Sequence, residues 1–158
     1  MKFVIILFLL FSNQSFCKIV DYKLDKDKSP VEFEVKGSPS LLSIKGLKGK
    51  GEGDLKIADD VLSGVVVVNL NDFDTDIDTR NDHMKEKYLE TGKSGFSNSI
   101  LKIVPLKLNK DFPEKIKNLS DLKVEAILNL HGKEKTIYCL ASLGADEFGN
   151  LSGKASFK

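Results

Sequence analysis

The sequence predicts an all-β fold, an antiparallel barrel or sandwich with one short helix. Apolar and polar residues alternate along most of the chain, which is the period of a strand with one buried face. Short runs typical of turns separate these segments, and only one segment has helical spacing. Short turns favour antiparallel pairing, because parallel strands need long crossover connections.

Length and composition indicate one globular domain whose net charge does not favour a charged binding partner. The chain has 158 residues, of which 41% are hydrophobic and 30% charged, so a packed core is expected. The formal net charge is +1. A nearly neutral surface does not favour binding to nucleic acid or to an anionic membrane.

The first 17 residues are predicted to be a secretory signal peptide, which leaves a domain over residues 18–158. Lys2 precedes an apolar run, residues 3–11, that is too short to span a bilayer as a helix. We expect cleavage after Cys17, with lipid attachment to Cys17 as the alternative. The protein is then periplasmic or secreted, without a transmembrane segment. Cys139 is left as a lone cysteine, and its apolar surroundings predict a buried, unreactive thiol.

Seven segments alternate as strands do: 31–36, 43–57, 64–70, 100–108, 122–130, 136–143 and 151–157. The second contains four glycines, whose spacing does not match a dinucleotide-binding fingerprint. It is interpreted as a long, sharply coiled strand at a barrel corner. Pro105 places an edge or a bulge in the fourth segment, because proline cannot donate to the ladder. "HGKEK" and "DEFGN" separate the last three segments as turns.

One helix is predicted, beginning near Thr79. Thr79 and Asp82 have the spacing of a capping box. Apolar residues then recur at helical spacing, namely Met84, Tyr88 and Leu89, and Gly92 suits the C-terminal cap. The polar residues around position 80 are therefore interpreted as structural.

Two chemical alternatives centre on residues 72–83. The alternating aspartates of "DFDTDID" suit a hard cation if Glu86 or Glu90 folds back toward them, although the EF-hand template fails. Acid–base catalysis has four candidate groups: Asp78, Arg80, Asp82 and His83. "TGKSG" lacks the upstream glycine of a P-loop, and neither a zinc pattern nor a nucleophile elbow is present. We expect neither an enzyme nor a metal site.

The stretch "FDTDIDTRNDHMKEKYLE" (73–90) resembles the signature of the YceI family of bacterial secreted proteins. The matching residues are Asp74, Thr75, Arg80, Asn81, His83 and Met84. Residues 22–37 resemble the first strand of that family, residues 53–70 its early meander, and residues 128–137 its strand–glycine–lysine hairpin.

The resemblance implies an eight-stranded, lipocalin-like antiparallel barrel with a helix closing one side. It also implies that the barrel lumen holds a polyisoprenoid, an isoprenoid quinone or a fatty-acid-like amphiphile. We expect that hydrophobic ligand, no other cofactor, and compatibility with a homodimer. The expected lumen residues are Phe33, Val35, Val66, Val68, Leu70, Ile103, Val124, Leu128 and Ile137. Thr75, Arg80 and His83 are expected near the polar head of the ligand.

Three departures from the family pattern accompany this resemblance. Asp76 stands where glycine is usual, and "GKSGF" (92–96) replaces an aromatic–proline step. The sequence ends at "GKASFK", where one or two further strands are expected. An incomplete barrel would have an exposed edge. The alternative function is therefore a structural or protein-interaction barrel whose lumen is filled by its own side chains.

Overall fold

Eight strands and one α-helix make up the fold of the computed structural model, which describes residues 18–36 and 43–158. The strands are β1 (Ile19–Lys23), β2 (Pro30–Lys36), β3 (Ser43–Ala58), β4 (Val61–Asn69), β5 (Asn98–Lys107), β6 (Asn118–Leu130), β7 (Lys133–Ala145) and β8 (Leu151–Ser156). The helix α1 (Asp78–His83) lies between β4 and β5. The predicted signal peptide, residues 1–17, lies outside the described residues. No helix in the described ranges has the length and apolar character needed to cross a membrane.

Every strand pair is antiparallel, and most strands pair with the next strand in the chain. The order across the sheet is β1-β3-β4-β5-β6-β7-β8, with β2 also paired to β3. This confirms the predicted fold class and the strand number that the family resemblance implies. The turn between β6 and β7 is shorter than predicted, because β7 already begins at Lys133 and leaves only His131 and Gly132 unpaired.

The sheet is a curled half-barrel rather than a closed barrel. β1 pairs with residues 54–58 of β3 and β2 with residues 43–50, and the amide of Gly51 bonds the carbonyl of Ser29 between them. β1 and β2 therefore act as one interrupted strand along β3, so eight strands occupy seven positions across the sheet. Within the described residues β1 and β8 do not pair. The open edge agrees with the expectation of an incomplete barrel, and its cause is the edge of β3 that β1 and β2 share.

Two glycines of β3 leave room for aromatic rings to pack directly against the strand backbone. A Cβ on Gly46 would lie 2.1 Å from the Phe33 ring, and one on Gly49 would lie 2.4 Å from the Phe73 ring. The two rings meet edge to face with their centroids 4.9 Å apart. Bends at Lys48 (φ 64°) and Gly53 (φ 144°) coil the strand. The prediction of a long, coiled strand is confirmed.

Pro105 lies in a bulge, as predicted. The β4–β5 register shifts between Leu62 and Gly64, so two residues of β5, Val104 and Pro105, oppose one residue of β4. Pairing of β5 with β6 ends at Ile103, so no ladder bond from position 105 is needed on that side.

The helix boundaries differ from the prediction. The N-cap is Ile77, without a side-chain cap bond, and Thr79 is an exposed residue of the first turn. The capping-box prediction is therefore wrong. After α1 the chain widens into one π-helical turn, Met84–Tyr88, in which the amide of Leu89 bonds the carbonyl of Met84. Glu90, not Gly92, adopts the left-handed conformation after the helix, with φ 47°.

Candidate ligand-binding site

The register of the central strands assembles one apolar inner face. Val66 of β4 lies opposite Leu101 of β5, and Leu101 lies opposite Leu128 of β6. Two residues further along β5, Ile103 lies opposite Ala126 of β6, and Ala126 lies opposite Ile137 of β7. Since directly paired residues share a face, all of these side chains are on the same side of the sheet.

The middle of this face is a buried apolar cluster, called here the central cluster. Its buried members are Val124, Ala126, Ile137 and Cys139. Partly buried neighbours complete it: Leu101, Ile103, Leu106, Leu122, Leu128 and Ala141. Ala126 has 0% exposure, so the cluster is closely packed. The predicted burial of Cys139 is confirmed, and burial raises the pKa of its thiol.

A second cluster, the helix cluster, lies beneath the helical turns. Its buried members are Leu70, Phe73 and Met84, and Val31, Phe33, Val68 and Leu89 pack against them. Leu70 follows the end of β4 in a 3₁₀ turn, Leu70–Asp72, rather than continuing the strand. Apolar side chains from β2, β4 and the helical turns therefore meet at this end of the sheet.

At the opposite end, the loop between β5 and β6 covers a third cluster, the loop cluster. Its buried members are Ile57, Leu62, Leu108 and Phe112. Phe112 has the largest fully buried side chain in the described part of the chain. It lies between polar residues in "LNKDFPEK" (108–115), where no period-two or helical pattern marks it as a core residue.

The structure distributes the expected lumen residues over two of these clusters. Ile103, Val124, Leu128 and Ile137 belong to the central cluster, whereas Phe33, Val68 and Leu70 belong to the helix cluster. Val66 lies between them by register. Val35 is 54% exposed, so its interior placement is corrected. Several apolar residues of these clusters were not singled out from sequence, among them Phe73, Leu101 and Leu106.

Polar residues near the helix form a closed network instead of an open receptor for a polar head. The backbone amide and the hydroxyl of Thr75 both donate to Oδ1 of Asn81, each at 2.8 Å. Nδ2 of Asn81 donates to Oδ1 of Asp74 at 2.9 Å. Thr75 is 5% exposed. The network fixes the chain before α1. It stabilises the N-terminus of the helix, which is the role that was predicted for Thr79.

Asp74 joins this network to β3. Lys48 Nζ donates to Asp74 Oδ2 at 2.6 Å, and residues 47 and 74 pair through reciprocal backbone bonds. The hydrogen bond from Lys48, followed by those from Asn81 and the Asp76 amide, holds the pKa of the Asp74 carboxyl far below its usual range. The Asp74 carboxylate therefore has a structural role.

The other two residues expected at a polar head lie elsewhere on the helix. Arg80 is half-buried, and His83 is exposed with Nε2 3.4 Å from Lys87 Nζ. Within residues 18–36 and 43–158, no three histidine, cysteine or acidic side chains are grouped so as to hold a metal ion. The structure places Thr75 in the network before α1 and leaves His83 at the surface.

In the described part of the chain, clefts lie at both ends of the half-barrel. One of about 190 Å³ lies beside the loop cluster, lined by Lys18, Val20, Tyr22, Ile57, Asp59, Asp60, Phe112, Pro113 and Glu114. Another of about 460 Å³ lies on the helical side, lined by Asp82, Lys85, Glu86, Glu90, Thr91, Gly92 and Lys93. Neither cleft is lined by an expected lumen residue.

A curled antiparallel sheet with an apolar inner face and a helix over one end defines a lipocalin-like fold. Residues 22–158 match the family model of the YceI-like domain. The chain belongs to the YceI-like domain family.

Comparison with solved structures gives the same fold. One similar structure is a polyisoprenoid binding domain from Saccharophagus degradans implicated in plant cell wall breakdown. It superimposes with a TM-score of 0.58 and 22% sequence identity, over 77% of this chain and 66% of the other. This chain thus spans slightly less than two thirds of that domain. The comparison with curated proteins finds no match.

Proposed function

We propose that this protein binds and carries a long apolar amphiphile, an isoprenoid or a fatty-acid-like chain, on the inner face of the half-barrel. The observation that carries the proposal is the continuous apolar face of β4 to β7 in a member of the YceI-like family. A solved structure of similar fold is described as a polyisoprenoid binding domain, which supports this ligand class.

Removal of apolar surface from water provides the binding energy, at roughly 25 cal/mol per Å² before the cost of association. The ligand chain would separate the half-buried side chains around the central cluster, among them Leu101, Ile103 and Leu128. The side chains that contact it would be apolar, so the protein would hold the ligand without chemical change. We therefore propose a carrier and not a catalyst.

We further propose that the carrier acts outside the cytoplasm. The apolar run at residues 3–11, preceded by Lys2, supports export by a secretory signal. Fractionation of cells expressing the full chain, with N-terminal sequencing of the mature protein, tests this point. A mature chain beginning at Lys18 in the periplasm or medium is expected. Full-length protein in the cytoplasm contradicts export.

Mass spectrometry of an organic extract of the purified protein tests the carrier directly. A stoichiometric isoprenoid or fatty-acid-like species is expected, and its removal should permit uptake of added polyprenol. The matched pair of variants is Val68→Lys, which places a charge in the helix cluster, and Val65→Lys, which places it on the exposed face of the same strand and should retain lipid. A folded wild-type protein that contains no lipid and takes up none contradicts the proposal.

The second candidate is a structural or interaction domain with a filled interior. The close packing of the central cluster, with Ala126 at 0% exposure, favours it. The same extraction distinguishes the two functions, since a filled interior predicts no uptake by the wild-type protein.

A further inference from the structure

The helical turns between β4 and β5 have few buried anchors. Across Asp78–His83 and Met84–Tyr88, Met84 is the only buried residue. Leu89 adds a partly buried contact with the helix cluster, whereas Tyr88 is 75% exposed. A segment with so little buried surface opens readily unless its ends are fixed.

Its N-terminal end is fixed by the network already described. Asn81 binds Thr75 and Asp74, and Asp74 binds Lys48 of β3. These contacts tie the start of the helix to the sheet. None of them involves a residue after Asn81, so the later part of the segment is held by other contacts.

The C-terminal end is fixed by a contact that is distant in sequence. Nε2 of His131, in the β6–β7 turn, lies 2.8 Å from Oε2 of Glu90, which is 41 residues earlier. The centroid of the Phe96 ring lies 4.5 Å from that of the His131 ring, at an interplanar angle of 51°. A Cβ on Gly132 would lie 2.9 Å from the same phenyl ring. The imidazole is therefore oriented by Phe96 before it meets Glu90.

Both partners adopt backbone conformations that side chains disfavour. Glu90 has φ 47° and His131 has φ 53°, in the left-handed region. The helical turn before Glu90 is π-helical, which is rare and often found at functional sites. Disfavoured conformations persist where surrounding contacts over-determine them. The two-residue hairpin turn itself requires the positive φ of His131, so the Glu90–His131 contact is such a compensation at Glu90.

We propose that Glu90 and His131 form a latch that holds the end of the helical turns over the helix cluster, and that its release opens this end of the inner face to the ligand. The second part rests on the proposed carrier function, whereas the first part does not. Met84, in the helical turns that the latch holds, belongs to the same cluster as Val68 and Phe33. Displacement of Met84 would therefore expose the inner face at its helical end.

Hydrogen exchange of the full-length, ligand-free protein tests the latch. His131→Asn removes the imidazole and retains a residue that tolerates the left-handed conformation. We expect amides of residues 84–91 to exchange roughly tenfold faster, with residues 124–128 unchanged, because only local opening is affected. Glu90→Asn should give the same result, and the double variant should add little to either change.

Two matched controls identify the contact responsible. Lys93→Ala removes the other partner of Glu90, and Lys87→Ala removes the neighbour of His83. Both should leave the exchange of residues 84–91 within about twofold of wild type, since neither touches His131. Unchanged exchange in His131→Asn and Glu90→Asn overturns the latch. An equal increase throughout the sheet also overturns it, because the contact would then support global stability only.

Release of cis-parinaric acid, a fluorescent polyene fatty acid, tests the gate. His131→Asn should release this probe faster by about the factor seen in exchange, if opening limits release. Faster exchange with an unchanged release rate overturns the gate. If the wild-type protein binds neither this probe nor polyprenol, the proposed function and the gate are both contradicted. The hydrogen-exchange result still decides whether the latch exists.

Discussion

At the scale of single residues, one amide side chain organises the start of the helix. Asn81 accepts two hydrogen bonds from Thr75 and donates one to Asp74. The sequence assigned this role to Thr79, because a threonine three residues before an acid is the usual signature of a cap. A side chain that reaches back six residues to a loop has no such local signature.

Asn81→Ala should lower the free energy of unfolding by about 2–3 kcal/mol. The change leaves the buried amide of Thr75 without its acceptor and leaves the hydroxyl only a long, 3.5 Å bond to the Ile77 carbonyl, and poorly satisfied buried groups carry that cost. Thr79→Ala is the control and should cost at most about 0.5 kcal/mol, because Thr79 is exposed. Urea denaturation measures both. A greater loss in Thr79→Ala would restore the capping hypothesis.

The ion pair of Asp74 should make part of the stability dependent on pH. Its folded-state pKa is lowered from the ordinary value of 3.8, so this contribution is complete above about pH 4 and is lost as the pH falls through the folded-state pKa. Asp74→Asn should be less stable than wild type at pH 6, and should lose less stability on acidification to about pH 2.5.

Glu32→Gln, on the exposed side of β2, makes the same change of charge and serves as its control. Urea midpoints at three pH values give the comparison. Parallel pH profiles for Asp74→Asn and wild type would show that Asp74 makes no such contribution.

At the scale of secondary structure, the sequence predicts which segments are strands better than where they end. β6 begins at Asn118, four residues before the predicted start. Its first residues, "NLSD", have the composition of a turn, and the register shifts between Leu119 and Leu122 with Asp121 at φ 54°. A bulge lets such a segment remain in the sheet, but this depends on its partner β7 and not on local preference.

Gly49→Ala should destabilise the protein by roughly 1–3 kcal/mol through overpacking. The new methyl group would lie 2.4 Å from the Phe73 ring and 2.7 Å from the Val31 carbonyl oxygen, which cannot move aside easily. Gly92→Ala is the control, since nothing lies within 4 Å of its added Cβ. Thermal unfolding should separate the two variants. Equal melting temperatures would contradict the close approach of Phe73 to β3.

Val68→Lys should cost about 3 kcal/mol or more, or prevent folding, because it places a charge in the helix cluster. Val65, on the opposite face of the same strand, is 37% exposed, so Val65→Lys should change stability by about 0.5 kcal/mol or less. Chemical denaturation and lipid retention are the measurements. If Val65→Lys has the greater effect, then Val65 and not Val68 lies on the inner face of β4.

At the scale of the whole molecule, the fold class and an incomplete barrel were predictable, whereas the number of strand positions across the sheet was not. Alternation along single strands fixes which side chains face inward, and this was read correctly for Val68, Val124 and Ile137. Closure depends on the number of strand positions across the sheet. Because β1 and β2 share one edge of β3, that number is seven. The pairing of β1 with β3, which are separated in the chain by β2, leaves no periodic signal in either strand.

The sheet order has a consequence for how fast the chain folds. Apart from β1, each strand pairs with a strand next to it in the sequence, and within the described residues the first and last strands do not meet. Folding therefore need not close the long loop that joins the two ends of a barrel, whose entropic cost slows proteins rich in distant contacts. We expect the main refolding phase in stopped-flow experiments to be complete within roughly a second, the fast part of the range for all-β domains. A dominant phase of many seconds would mean that some distant pairing must form first.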